Sequence, residues 1–166
     1  MKYYDIVLCD VPPTLHKRLG FAFMYNASKL VSRAAHANAV IVSNDPSILE
    51  KGVLGGAKGV VPEGFRFSRK LLSLMEERSA ILYIPFSLML ANGGFKLSSN
   101  LRHASQLFYY ARKKNIHVGF ASFAQSQEQL LSSIQIIKLA VLIGSSEQYA
   151  RYSMSEINSL MFKMIK

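Results

Sequence analysis

The chain alternates short apolar runs with segments whose apolar residues recur every three or four positions, the signature of strands alternating with amphipathic helices. Asp5-Ile6-Val7-Leu8-Cys9 is a compact apolar run closed by Asp10 and Pro12-Pro13, which predicts a buried strand and a turn. Residues 20–24 predict a second strand, although their aromatic character also allows a helix. Residues 27–37 predict a helix with Leu30, Val31, Ala34 and Ala35 on one face. Ala39-Val40-Ile41-Val42-Ser43 is β-branched and bounded by Asn44-Asp45-Pro46, the clearest strand of all.

Asp45 as N-cap and Pro46 at the first helical position open a short helix through Lys51. Gly59-Val60-Val61 predicts a short strand stopped by Pro62. Residues 68–78 predict a helix with Leu71, Leu72 and Met75 turned inward, and residues 80–86 another apolar strand. Residues 88–94 predict a loop or short turn ending in Asn92-Gly93-Gly94. A long helix is expected over 99–114, capped by Ser98 or Ser99, with Leu101, Ala104, Phe108 and Ala111 on one stripe. Residues 118–121 give the last strand, and helices follow over 127–143 and 155–165, joined across Gly144-Ser145-Ser146.

About six strands result, each separated from the next by a segment of the length a parallel crossover requires. Apolar strands without alternation suit a parallel sheet covered on both faces. A doubly wound sheet and a barrel both satisfy this pattern. Complete eight-unit barrels run to about 250 residues, so 166 residues leave room for a reduced or irregular barrel. With no long linker, charge block or low-complexity stretch, residues 1–166 form one domain.

Half of the residues are apolar and 18% are charged, which opposes disorder. Lys and Arg total 20 against 10 Asp and Glu, a formal charge of +10. On one domain such a field favours a polyanionic partner, nucleic acid before others, over a basic surface kept for solubility. The single cysteine, Cys9, excludes an internal disulfide and a cysteine-based zinc site, and its apolar surroundings predict a buried, inert thiol. The N-terminus lacks the apolar core of a signal peptide. No apolar stretch reaches the roughly 18 residues of a membrane span, because Lys138 interrupts the longest, 134–143. A soluble, cytoplasmic protein is expected.

Charge is unevenly distributed. Between Arg78 and Gln127 there is no Asp or Glu, yet Lys96, Arg102, Arg112, Lys113 and Lys114 fall within the run. In an α/β protein this half supplies loops that follow strands, where catalytic carboxylates usually sit. Arg102, Gln106, Tyr109 and Lys113 recur at helical spacing opposite the apolar stripe of the long helix. Arg112, Lys113 and Lys114 at its C-terminus also complement the helix dipole, but Arg102 near its start does not. Arg66, Arg69 and Lys70 open the preceding helix, where the dipole disfavours cations and a phosphate-facing role gains weight.

Catalytic motifs are scarce. His16, His36, His103 and His117 form no HxH, HExxH or HxxxH pair, and only His103, beside Arg102, suggests a phosphate contact. Asp10, Asp45 and Glu63 close three strands and could gather around a metal, although each has a local role in a turn or cap. The glycine-rich segment beginning at Gly52 has neither the GxGxxG order nor the GK[ST] ending of phosphate loops. Ser87 and Ser122 follow strands, but neither sits in GxSxG, and no acid lies nearby in sequence.

The segment Lys96-Leu97-Ser98-Ser99-Asn100-Leu101-Arg102 runs through Ala111-Arg112-Lys113-Lys114-Asn115 to Ala121-Ser122-Phe123-Ala124-Gln125. In that order it resembles the TIM-barrel protein subunit of archaeal and eukaryotic ribonuclease P, protein component 3. Leu142-Ile143-Gly144-Ser145-Ser146-Glu147-Gln148-Tyr149-Ala150, with Ser153 and the last helix, resembles the family's ending. Upstream, Val42-Ser43-Asn44-Asp45, Glu50-Lys51-Gly52 and Gly59-Val60-Val61 also fit. The resemblance spans most of the chain from Ala39 onward. Departures are a shorter N-terminal part, Glu63-Gly64-Phe65-Arg66-Phe67 in place of an Asp-Pro-like turn, and Leu131-Ser132-Ser133-Ile134 in place of an arginine-bearing segment.

The resemblance implies a compact or reduced TIM-like (PHP-like) barrel of about six to seven parallel strands with surrounding helices. It implies a ribonuclease P subunit that binds and stabilises RNA while the RNA subunit, with its own Mg2+, removes the 5′ leader from precursor tRNA. This chain would then carry no catalytic residue, metal or cofactor. Its partners would be ribonuclease P RNA, a small ferredoxin-like protein subunit and other ribonuclease P proteins, with precursor tRNA met indirectly and no membrane. Arg102, Lys113 and Lys114 match the family's basic helix; Arg112, Lys96, Arg66, Arg69 and Lys70 join the RNA-binding set by charge and placement. A small metal-dependent barrel hydrolase using Asp10, Asp45 and Glu63, or a general RNA-binding barrel, are the alternatives.

Overall fold

The computed structural model describes residues 1–28, 31–32, 39–91 and 93–164. The apolar runs form β1 (Tyr4–Val7), β2 (Phe23–Asn26), β3 (Val31–Ser32), β4 (Val40–Ser43), β5 (Gly59–Pro62), β6 (Ile81–Pro85) and β7 (Val118–Ala121). β1 pairs with β2, and β3-β4-β5-β6-β7 form a five-stranded sheet; every pairing is parallel. Helical segments supply the crossovers from β1 to β2 and from β4 through β5 and β6 to β7, as parallel pairing requires. The helices are α1 (Pro13–Arg18), α2 (Pro46–Leu54), α3 (Arg69–Arg78), α4 (Phe86–Leu90), α5 (Gly94–Lys113), α6 (Ser133–Leu142), α7 (Glu147–Tyr152) and α8 (Asn158–Met164). The fold is thus α/β with parallel sheets.

Local chemistry sets several boundaries, that of α2 as expected. Asp45 caps α2 by accepting the Ser47 N–H at 2.8 Å, with Pro46 at the first helical position. Ser68 caps α3 by accepting the Leu71 N–H at 2.8 Å, and its hydroxyl donates to Glu50 of α2 at 2.6 Å. Leu71, Leu72 and Met75 are buried as the helical spacing requires.

Other expectations need correction. The second strand begins at Phe23, not residue 20, because Pro12-Pro13 start α1 rather than a turn. Gly20 then ends that helix at φ +82°, where the Phe21 N–H returns to His16 O at 2.9 Å. Of the helix expected over 27–37, no described residue is helical: residues 27 and 28 follow β2 without regular structure, and β3 pairs Val31 with Val40 and Ser32 with Ile41. Sheet pairing overrides the helical spacing there, and Leu30, Ala34, Ala35 and His36 lie outside the described residues.

Residues 86–90, expected in part as a loop, form α4, and α5 starts at Gly94, ahead of both Ser98 and Ser99, the expected caps. The helix expected over 127–143 is broken. A short 3-10 turn covers Gln127–Gln129, and α6 begins afresh from a capping box between Ser132 and Gln135. The last helix starts at Glu147 rather than 155 and passes through a π turn at Ser153–Ile157.

Both faces of the sheet from β4 to β7 are buried. Ile41, Val60, Leu82, Ile84, Val118 and Phe120 share the larger core with α2, α3, α5 and α6. Alternate residues Val40, Val42, Val61, Ile81, Tyr83 and Ala121 join Ile6 of β1 and Ile157 and Met161 in a second core. The Tyr83 ring fills that core between two glycines: a Cβ at Gly59 would lie 3.2 Å from it, and one at Gly119 would overlap it.

The edge of β7 away from β6 is bonded mostly by side chains. Val118 N–H donates to Tyr149 Oη at 3.1 Å, and Phe120 N–H donates to Ser153 Oγ at 2.9 Å. Ser153 Oγ in turn donates to Val118 O at 2.9 Å, and Asn158 Nδ2 donates to Phe120 O and to Tyr4 O of β1. Past the strand ends the backbones meet directly, with Phe123 N–H donating to Ile6 O and Leu8 N–H to Ala124 O, both at 2.8 Å. The π turn thus places Ser153 and Asn158 where a neighbouring strand would otherwise satisfy the backbone.

Candidate nucleic-acid interface

α5 buries Ala104, Leu107, Phe108 and Ala111 and turns Arg102, Gln106, Tyr109 and Lys113 outward, as their spacing requires. Because the helix begins at Gly94, its first turn carries Lys96 over the C-terminal ends of β4, β5 and β6. A groove of about 650 Å3 opens there. Asn44 lines it from the end of β4, Glu63 and Arg66 from beyond β5, and Lys96, Asn100 and His103 from α5. Ligand sites of open parallel sheets lie at this end of the strands. Arg66 and Lys96 outweigh Glu63, so the groove is cationic.

A second groove, of about 780 Å3, lies between α3 and α5 and is lined by Phe67, Arg69, Leu72, Tyr110, Lys113 and Lys114, among others. The expected RNA-binding residues therefore divide by place: Arg66 and Lys96 in the first groove, Arg69, Lys113 and Lys114 in the second, and Arg102 on the outer face of α5.

They also divide by partner. Lys70 Nζ is 3.1 Å from Glu50 Oε2, which offsets the unfavourable helix dipole at the start of α3. Ser68 first, and Lys70 with it, hold the Glu50 carboxyl below its ordinary range. Lys114 Nζ is 3.0 Å from Glu76. Arg112 lies over the Tyr149 ring at 4.3 Å and donates to its hydroxyl at 3.4 Å. Arg66, Arg69, Lys96, Arg102 and Lys113 are exposed and have no hydrogen-bond or ion-pair partner among the described residues.

The proposed carboxylate set does not assemble. Asp45 caps α2, Glu63 lines the α5 groove, and Asp10 accepts from Asn26 Nδ2 at 2.7 Å in a separate groove beside β1 and β2. Among the described residues no three of His, Cys, Asp and Glu are grouped to hold a metal. Cys9 is half-buried rather than buried; burial, then the charge of Asp10, pushes its thiol up, which disfavours the reactive thiolate. Of the other histidines, His16 is buried and His117 exposed.

Sequence reasoning found no acid near Ser122, but the fold supplies one. Ser122 Oγ donates to Asp5 Oδ2 at 2.6 Å, and its N–H donates to Asp5 Oδ1 at 2.8 Å. Both residues are fully buried, so the pair joins β1 to the end of β7 rather than facing a groove. Asn44, Asn100, Phe67 and Tyr110 were also missed, because neutral residues carry no signal until the fold brings them to a groove.

No helix among the described residues is long and apolar enough to cross a membrane. Comparison with known families finds no family model that matches the chain, and comparison with curated proteins finds no similar sequence.

Proposed function

We propose that the chain is an RNA-binding protein subunit of ribonuclease P, supporting RNA-catalysed removal of the 5′ leader from precursor tRNA. The observation that carries the RNA-binding part is the set of exposed cations without partners among the described residues: Arg66 and Lys96 in one groove, and Arg69, Arg102 and Lys113 along α3 and α5. Like charges left uncompensated on one face repel one another, and phosphates relieve that repulsion. Lys96, Arg102 and Lys113 also lie in the segment whose residue order resembles the family, which supports the narrower assignment.

The strand order supports a reduced barrel. From β3 to β7 each strand neighbours the next in sequence, β1 neighbours β2, and the chain beyond β7 exchanges backbone hydrogen bonds with β1. A crystal structure with β2 bonded along β3 would complete the circle; an edge of β2 open to solvent would leave two separate sheets.

Reconstitution tests the function. Ribonuclease P RNA and its small ferredoxin-like partner subunit, with and without this chain, are assayed for precursor-tRNA cleavage at limiting Mg2+. A gain in rate on adding the chain, reduced in an Arg66→Ala/Lys96→Ala variant, is the expected result. Tight binding of that RNA without any effect on cleavage would instead make it a general RNA-binding protein.

A further inference from the structure

The groove between α3 and α5 differs from the one over the strand ends: its floor is aromatic and apolar, and its cations stand at the rim. Phe67 and Tyr110 meet with ring centroids 5.8 Å apart, and Leu72 lies buried between the helices. Tyr109, 61% exposed, meets Tyr110, 47% exposed, edge to face at 5.4 Å, which extends the aromatic surface onto the outside of α5. Arg69 and Lys113 have no partner among the described residues, whereas Glu76 is already bound to Lys114. At about 780 Å3 the space falls within the roughly 300–1,000 Å3 of small-ligand sites, enough for a base and its sugar.

We propose that this groove takes unpaired nucleotides of an RNA, a base stacking on Tyr110 beside Phe67 while flanking phosphates meet Arg69 and Lys113. A paired base has both faces stacked within its helix and cannot present one to a tyrosine ring, so the groove selects single strands, loops or bulges. The cations reject an apolar peptide, and the flat rings distinguish a base from an acidic side chain. The assignment rests on RNA being the partner, and it adds a second contact that reads strandedness, apart from the cationic groove of Arg66 and Lys96.

The test uses the whole chain with three labelled probes: a mixed-sequence single-stranded RNA of about ten nucleotides, an RNA hairpin duplex with the same number of phosphates, and a polyglutamate peptide of equal charge. Tyr110→Leu keeps apolar bulk against Phe67 but removes the stacking face, and Tyr110→Phe keeps that face. Removing one stacked base corresponds to about a fivefold or greater drop in affinity. Tyr110→Leu is therefore expected to weaken single-strand binding by at least about fivefold with an unchanged salt slope. Duplex binding should stay at the wild-type level, and Tyr110→Phe should restore single-strand binding.

Equal losses on both RNAs, no loss on the single strand, or displacement of the single strand by polyglutamate as effective as by unlabelled RNA would each overturn the proposal. If the duplex binds in a manner sensitive to Arg66→Ala while Tyr110→Leu changes nothing, only this groove loses its assignment. If neither RNA binds, the RNA-subunit reading falls, and this proposal with it.

Discussion

The carboxylate of Asp5 accepts both the N–H and the O–H of Ser122, at 2.8 and 2.6 Å, across 117 positions of sequence. A third bond, from Ile6 N–H to Oδ1 at 2.8 Å, completes its shell. All three favour the charged form, yet complete burial outweighs them and pushes the carboxyl from an ordinary 3.8 up to about 7. The acid joining β1 to the end of β7 thus titrates near neutrality.

Stability should therefore depend on Asp5 with a definite sign. The folded state holds this proton more tightly than the unfolded chain. Its contribution is complete below pH 3.8 and is lost as pH rises through about 7. The loss is on the order of 4 kcal/mol. Asp5→Asn keeps an acceptor for Ile6 and Ser122 and removes the titration, while Ser122 Oγ can still donate to Ile6 O, now 3.4 Å away. Urea unfolding of both proteins from pH 4 to pH 8 should show the variant gaining on the wild type as pH rises. A constant difference across that range would sink the assignment.

Ser153 is the next test, because one hydroxyl serves two backbone groups of β7. Ser153→Ala strips the partner from Phe120 N–H and leaves Val118 O with only the longer bond from Tyr149 Oη, at 3.5 Å. An unsatisfied buried polar group costs about 1–3 kcal/mol. A loss of about 1–3 kcal/mol is expected by denaturant unfolding, against well under 1 kcal/mol for Ser159→Ala, whose hydroxyl bonds Glu156 O at the surface. Equal effects would show that the β7 edge does not depend on the helix beside it.

Tyr83 should behave in the opposite way. Its ring is fully buried between Gly59 and Gly119, but its hydroxyl has no hydrogen-bond partner among the described residues. Tyr83→Phe removes the orphan group and keeps the ring, so stability should rise by about 1 kcal/mol or stay level. Gly119→Ala pushes a methyl into the ring and should cost about 1–3 kcal/mol. Thermal unfolding of the two variants checks both signs, and a destabilised Tyr83→Phe would mean that the hydroxyl has a partner.

These residues also mark where the sequence was legible. The Asp45 cap was readable because cap and helix lie within four residues of each other, and the outward face of α5 because helical spacing is local. The start of α5 was not, since Gly93-Gly94 has the composition of a turn and Gly94 enters the helix at φ +56°. The last helix, expected from residue 155, starts at Glu147, and the polar Ser153, Ser155 and Asn158 carry no local cue to their partners. Their polarity instead serves β7, β1 and the helix itself. Asp5 was read only as the start of a strand, its partner being 117 residues away. The cations of the candidate interface were all visible as charges, but their division into paired and unpaired depends on Glu50, Glu76 and Tyr149, each distant in sequence.

That division separates neighbours on one helix end. Lys113 is exposed with no partner among the described residues, whereas Arg112 is committed to the Tyr149 ring and hydroxyl. Lys113→Ala should flatten the log–log salt dependence of RNA binding by about 0.7–0.9 for each phosphate it no longer neutralises, and leave the unfolding midpoint unchanged. Arg112→Ala should leave the slope nearly unchanged and lower stability by about 0.5–1 kcal/mol, since it removes a cation–π interaction that anchors α7 to α5. Salt titrations of RNA affinity paired with thermal unfolding measure both. A flatter slope for Arg112→Ala with none for Lys113→Ala would invert the assignment, and would mean that RNA draws Arg112 off the tyrosine.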